Sequence, residues 1–435
     1  MRVLIVGGGG REHALAWKLA QSPEISQLFC APGNPGIAQH AVCADVAAGD
    51  IEGILDYAQS MAIEFVVVGP EEPLSKGLVD RLLDAGIQAF GPTASAARIE
   101  SSKAYAKTLM ANYGIPTGRH ARFDDAKAAQ AYVEEQGTPI VIKADGLAAG
   151  KGVTVAHDLD TAYEAIDACL VDHAFGEAGA WLVIEEYLEG EEASIFALTD
   201  SRHILSMVSS QDHKPVYDGD TGPNTGGMGA YSPAPVITPE VFQTIEDAVT
   251  APCVRAMASE GNPYRGVLYA GLMLTPAGPE TRPAPRVVEF NCRFGDPETQ
   301  VLLPRMKSDL LPLLLASCDG TLWRHTIRWR EDPCVSVVMT SGGYPGPYEK
   351  GKVIEGIEAA EALEGVQVFH AGTKEEDGRL VTAGGRVLNV TATGEDIASA
   401  IETAYAAVDL IHFEGAHYRT DIGQKALARL AEGRD

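Results

Sequence analysis

Positive charge is what this 435-residue chain has least of: 34 lysines and arginines stand against 60 aspartates and glutamates, for a net charge of −26. A surface so acidic repels nucleic acid and anionic membranes, so neither is expected as a partner. Any anionic ligand must be held by local cations, helix N-termini or a metal ion. Paired cysteines are lacking too. The seven cysteines are scattered and form no C-x-x-C pair, which argues against a disulfide frame or zinc ribbon and for reduced thiols in a cytoplasmic protein. The longest apolar run, around 310–316, contains Pro312 and is too short to span a bilayer. The sequence has no low-complexity tract and no internal repeat. Residues 1–6 read as a strand running into glycines rather than a signal peptide. What remains, 46% hydrophobic and 22% charged, is the composition of a globular protein of about two to four domains.

The first hundred residues alternate strand and helix. Residues 2–6 form a buried strand, Gly7 to Gly10 a glycine loop, and a helix follows to about Ala20. The dinucleotide fingerprint G-x-G-x-x-G is incomplete, because Glu12 stands where the third glycine belongs. The strand at 28–30 also lacks a terminal acid to grip a ribose, so a nicotinamide cofactor is not expected. A helix N-terminus flanked by glycines still suits a single phosphate. Helices near 50–60 and 75–85 and strands at 65–68 and 88–90 complete the pattern of a parallel sheet with helices on both faces. Ligands then belong at the strand ends, 7–13, 31–34 and 69–71.

A second glycine loop lies further on, in P-I-V-I-K-A-D-G-L-A-A-G-K-G-V-T-V at 139–155. Two β-branched runs bracket a loop of small residues with Lys143 at its start and Lys151 near its end. Glycines let backbone N–H groups turn toward an anion, and the lysines add charge, so a polyphosphate fits. The spacing is not that of a P-loop: only three residues separate Gly146 and Gly150, Gly152 replaces the Ser/Thr, and a strand follows instead of a helix. Beyond a helical segment at 95–113 and a helix near 159–169, the stretch 211–235 reads as a long polar loop, a kind that is usually functional or disordered. Helices are expected near 239–259 and 302–317, and the chain from 326 reads as a separate small α+β domain. Glu289 and Asn291 alternate at a strand end, so both side chains point to one face, and their hard oxygens suit Mg²⁺ bridging phosphates. His40, His157 and His325 have no partner nearby in sequence and read as plain surface or core residues. Cys292 carries no base signature and is not expected to be a nucleophile.

Six motifs in order carry a resemblance: G-G-R-E-H-A at 9–14, G-P-E at 69–71, K-A-D-G-L-A-A-G-K-G at 143–152, S-Q-D-H-K at 210–214, D-T-G-P-N-T-G-G-M-G-A-Y at 220–231 and E-F-N-C-R-F-G-D-P-E-T-Q at 289–300. Together with S-G-G-Y-P-G at 341–346 and G-G-R-V-L at 384–388, they resemble the phosphoribosylamine–glycine ligases, ATP-grasp enzymes of de novo purine synthesis. The resemblance implies an α/β and α+β multidomain fold. It comprises a Rossmann-like N-terminal domain over 1–101, an ATP-grasp domain over 102–325 with a mobile lid at about 120–190, and a small α+β C-terminal domain over 326–435.

It also implies roles. Lys103 and Lys143 would contact the α- and β-phosphates of ATP, with the loop to Gly152, including Gly150 and Lys151, closing over the β/γ-phosphates. Adenine would lie along Glu186, Tyr187 and Leu188, with Glu185 near its amino group and Glu192 on the ribose. Glu289 and Asn291 would hold Mg²⁺ or Mn²⁺. Arg293 would face the glycine carboxylate and the acyl phosphate. Gly9, Gly10, Arg11, Glu12, His13, Pro70 and Glu71 would receive 5-phosphoribosylamine. Asp212, Lys214, Asp220, Asn224 and Thr225 would line the acceptor site, Asp212 and Asp220 by binding a cationic amino group. Catalysis would rest on Lys143, Lys151 and Arg293, in a cytoplasmic monomer or weak homodimer standing alone from other purine enzymes.

Overall fold

Alternate residues of the first strand meet two different cores. Leu4 and Val6 pack with Phe29, Ile54, Val66 and Leu82, while Val3 and Ile5 pack with Leu15, Leu28, Phe65 and Leu314. A strand buried on both faces belongs to a parallel sheet covered by helices. The computed structural model, which describes residues 1–148, 152–276 and 283–432, contains that sheet. Its strands lie in the order Val42–Cys43, Gln27–Pro32, Arg2–Gly7, Phe65–Val68 and Gln88–Phe90, all parallel. The helix expected over 75–85 is two, Glu71–Ser75 and Leu78–Asp84, because Gly77 takes a left-handed turn at φ +83° between them. Likewise the segment 95–113 breaks into Ala94–Ser101 and Lys103–Tyr113 at Ser102, whose hydroxyl accepts the Tyr105 N–H.

Strands His120–Phe123, Leu182–Glu186, Ile140–Ala144 and Val153–Ala156 then form an antiparallel sheet. Helices Ala126–Gln136 and Leu159–Leu170 back it, closing a separate small core around Val133, Ile142, Ile166 and Ile184. The strand, glycine loop and strand at 139–155 are therefore an antiparallel hairpin. Gly152 is pressed so close that a Cβ would lie 2.7 Å from that of Ala148, while Gly150 and Lys151 lie outside the described residues. A further antiparallel sheet, in the order Ile204–Ser206, Glu191–Asp200, Arg265–Thr275 and Ala284–Asn291, carries the strand with Glu289 and Asn291.

Two expectations need correction. The stretch 211–235 is not a structureless loop: it holds strand Gln211–Asp212, a hairpin of Pro215–Tyr217 with Thr221–Asn224, and strand Gly229–Ser232. Nor is the C-terminal portion separate. Gly229–Ser232 pairs with Cys334–Thr340, in a sheet ordered Gln211–Asp212, Gly229–Ser232, Cys334–Thr340, Arg386–Thr393 and Val366–His370. Strands of two to four residues rich in Gly and Pro show no alternation to read. The helix read over 302–317 is also divided, into Glu298–Leu302, Leu303–Arg305 and Leu310–Asp319, the last capped by Asp309 accepting the Leu311 N–H. Among the described residues no helix is long and apolar enough to cross a membrane.

Candidate active site

Strand register does the first piece of assembly. Lys143 lies opposite Val183, and Val141 opposite Glu185, so Lys143 and Glu185 stand on one face of the sheet that contains both strands, in the segment expected as a lid. Lys143 Nζ is 3.1 Å from Glu185 Oε1 and donates to the Val288 carbonyl at 3.2 Å. The other carboxylate oxygen is 2.7 Å from Lys107 Nζ, which also donates to Thr117 Oγ1. All three charged groups are buried. Burial alone would raise the Glu185 carboxyl, but Lys143 and Lys107 hold it below its ordinary value. Burial pushes Lys107 down to about 8 despite Glu185. Lys107 escapes a motif reading, although it stands four residues after Lys103 and so on the same side of that helix. Lys103 Nζ donates to the Gly146 carbonyl at 3.1 Å, across to the glycine loop.

Glu289 and Asn291 lie opposite Gly271 and Tyr269, side by side on one face as their spacing implies. Lys214 bridges to this strand: its Nζ is 2.7 Å from Glu192 and 3.9 Å from Glu289. Burial would raise the Glu289 carboxyl, yet Lys214, Lys143, Lys103 and Arg293 together hold it below its usual range. An ionised carboxylate beside an amide oxygen suits a small hard cation. Among the described residues no group of three or more His, Cys, Asp and Glu is disposed to hold a metal. A cation held by Glu289 and Asn291 would need further oxygen ligands, a need that phosphate oxygens and water meet for Mg²⁺. Replacing Glu289 by alanine should raise the metal concentration giving half-maximal ADP formation by about tenfold or more. An unchanged metal titration would remove Glu289 from the ligand set.

Arg293 joins the end of the Glu289–Asn291 strand to helices of the N-terminal part. Its Nε is 3.4 Å from Glu71, and one terminal nitrogen lies 3.2 Å from Glu100 and 3.4 Å from the Asn291 amide oxygen. Glu100 also accepts the Cys292 N–H at 2.7 Å and its thiol at 3.0 Å. Burial, reinforced by Glu100, pushes that thiol well above the ordinary range, so Cys292 is a hydrogen-bond donor and no nucleophile. Glu100 gives no signal of its own in the sequence, because it lies in a helix of ordinary pattern.

The first glycine loop is filled from within. Glu12 turns back so that one carboxylate oxygen accepts the Gly9 N–H at 2.7 Å and the other meets Arg11 Nε at 2.6 Å. Gly69 admits this: a Cβ there would lie 2.1 Å from Glu12 Oε1. Arg11 continues to the Phe294 carbonyl at 3.0 Å, and Gly10 abuts Asn389 and Gln300. Pro70 caps the helix that Glu71 begins. His13 Nδ1 accepts the His370 N–H at 2.7 Å, with its ring 5.6 Å from that of His40. His40 is thus a neighbour of the loop, and His157 packs edge-on to Tyr187 at 5.9 Å. Burial lowers His370 to about 4, and burial lowers His213 to the same value. Both therefore stay neutral where the unfolded chain already binds protons. Their contribution is complete above pH 6.5 and lost as pH falls from 6.5 to 4. His370→Gln should flatten the fall in Tm between pH 6.5 and 4.5; an unaltered slope would show that this ring does not govern it.

The 212–225 residues divide. Burial raises the Asp212 carboxyl, Lys214 opposes this, and Glu298, Glu192 and Glu289 reinforce it, leaving it at about 7. Thr225 ties its hydroxyl to the Lys214 carbonyl at 2.8 Å, while Asn224 is exposed opposite Pro215. Asp220 does not join them. Its carboxylate is 2.9 Å from the buried Arg419 and 2.5 Å from Lys425, so its charge is already paired within the protein. Glu185 likewise spends both oxygens on lysines, and Glu186 accepts the Arg119 N–H at 3.0 Å. Leu188 is the second residue beyond that strand's end at Glu186. Arg386, on the C-terminal sheet, reaches the Asp296 carboxylate at 3.1 Å and the Gly226 carbonyl at 2.7 Å.

Comparison with known proteins gives one family for the whole chain. Family models described as phosphoribosylglycinamide synthetase match as the N domain over residues 1–100, the ATP-grasp (A) domain over 101–299 and the C domain over 334–425. A phosphoribosylamine–glycine ligase of Rhizobium meliloti is 55% identical over 429 residues, 99% of each chain, and one of Escherichia coli is 53% identical over 432 residues with the same coverage. The crystal structure of phosphoribosylamine–glycine ligase from Thermotoga maritima is 34% identical and superposes with a TM-score of 0.84, covering 97% of this chain and 100% of that one. A biotin carboxylase domain from Hydrogenobacter thermophilus, solved with Mg-ADP, is 17% identical with a TM-score of 0.74 over 95% of this chain and 91% of that one. At that identity it shares the fold alone.

Proposed function

Since this chain belongs to the phosphoribosylglycinamide synthetase family, we infer that it joins glycine to 5-phosphoribosylamine with ATP, giving glycinamide ribonucleotide, ADP and phosphate in de novo purine synthesis. A carboxylate is a poor electrophile. Phosphorylating the glycine carboxylate supplies a leaving group, and the amine of phosphoribosylamine then displaces it to form the amide. The protein's task is alignment and neutralisation of charge, as in phosphoryl transfer generally.

The observation that carries this reading is the convergence of positive charge from Lys103, Lys143 and Lys214 on Glu289, in a chain of large net negative charge. Lys103 and Lys143 bind the ATP phosphates, each leaving a carbonyl partner to do so. Glu289 and Asn291 hold the divalent cation, Mg²⁺ or Mn²⁺, which supplies neutralisation of phosphate charge. Arg293 presents a planar fork to the glycine carboxylate, a task an ammonium performs less well. Gly9 to His13, with Pro70 and Glu71, receive the phosphoribosylamine. Asp212 and Lys214 line the space between. ADP release with Mg-ATP tests the reading, adding glycine and freshly generated phosphoribosylamine singly and together. Release that requires both, with glycine not replaceable by alanine or aspartate, is the expected result. Release with neither, or with another acid, would overturn the substrate assignment.

A further inference from the structure

Lys103 and Lys143 come from different parts of the chain, one from the first residue of a helix and one from the lid sheet, so something must fix their separation. We propose that Asp145 is the positioning residue that does so, by capping the helix of Lys103 from the end of the strand that carries Lys143. The inference rests on the reading of both lysines as ATP ligands.

Five contacts support it. Asp145 Oδ1 accepts the Ala104 N–H at 2.7 Å, and the Asp145 carbonyl accepts the Lys103 N–H at 3.1 Å. The Ser102 hydroxyl donates to the same carboxylate at 3.2 Å and 3.3 Å. On the lid side the Asp145 N–H donates to the Trp181 carbonyl at 3.0 Å. Arg122, whose guanidinium lies 3.7 Å above the Trp181 ring, is 3.8 Å from the Asp145 carboxylate. The helix keeps its own cap, Ser102, for the Tyr105 N–H, so Asp145 adds acceptors that Ser102 cannot supply. Helix Lys103–Tyr113 is thereby held at its N-terminus by a negative group belonging to the lid sheet, the sign its dipole favours. An anion already occupies the first amides, so the helix end is closed to the nucleotide. Lys103 reaches ATP through its side chain, which this cap aims along the loop at Gly146.

The test compares Asp145→Ala with Asp145→Asn in the full-length enzyme. Asparagine keeps the acceptor oxygen and caps helices as well as aspartate does. Alanine should raise KM for ATP about tenfold, leave KM for glycine near wild type, and speed hydrogen exchange at the Ala104 amide while sparing Leu109. Asparagine should restore both readouts. Unchanged Ala104 exchange in the alanine variant would overturn the proposal, and so would equal rises in both KM values or failure of asparagine to rescue. Lys143→Ala, run alongside, separates the two levels: near-normal turnover there sinks the ATP reading, whereas its loss with an indifferent Asp145→Ala sinks the cap alone.

Discussion

Lys143→Ala is expected to cut turnover by about a thousandfold or more, the scale seen when a preorganised charge is removed from a developing anion. The argument comes from what surrounds the ammonium. Its neutral partner is one carbonyl oxygen, of Val288, and its charged partner is a glutamate that Lys107 already serves. Lys143 can therefore turn to a phosphate without leaving Glu185 unpaired. Removing it withdraws one of the cations that keep Glu289 ionised. The loss should thus fall on both ATP affinity and metal affinity. Steady-state kinetics against ATP at several Mg²⁺ concentrations measure this, and turnover within a few-fold of wild type would dismiss Lys143 as a phosphate ligand.

Arg293→Ala should be costly in a second way. It leaves the buried Glu100 and the partly exposed Glu71 without their common cation, and uncovering one partner of a buried ion pair such as Glu100 with Arg293 costs about 3–5 kcal/mol. Glu100 is the more exposed to this loss, because burial already raises its carboxyl and Arg293 is the main opposing influence. Chemical denaturation should show the drop. Adding Glu100→Gln should recover part of it, since a neutral amide tolerates that site better than an uncompensated carboxylate. Arg293→Lys should preserve more stability than alanine but little turnover, because the ammonium keeps the charge and loses the fork. If Arg293→Ala unfolds no more easily than wild type, the network is not a structural joint.

Much of this is legible in the chain. The N-terminal parallel sheet announces itself in short β-branched runs spaced by helices, and strands such as Phe65–Val68 and Gln88–Phe90 lie where those runs place them. Glu289 and Asn291 share a face because a two-residue step on a strand permits nothing else. What stays hidden is whatever depends on distant partners. Glu100, Lys107 and Asp145 are ordinary residues until the fold sets Arg293, Glu185 and Ala104 beside them. Asp220 sits in a dense polar motif, and only the arrival of Arg419 and Lys425, far along the chain, reveals it as part of a clasp. The strands in 211–232 cannot be read because their pairing energy comes from the sheet they join, not from their own pattern.

That borrowed pairing bears on how the molecule is made. Strand Gly229–Ser232 rests on Cys334–Thr340, which in turn rests on Arg386–Thr393. A ribosome adding roughly 5–20 residues per second therefore releases Lys214 and its surrounding hairpin many seconds before the chain that braces them exists. Strand Gly229–Ser232 therefore gains its neighbours in the sheet only when the C-terminal strands arrive. A polypeptide truncated before Cys334 would carry Lys103, Lys143, Lys214, Glu289 and Asn291 and lack the strands on which Gly229–Ser232 rests.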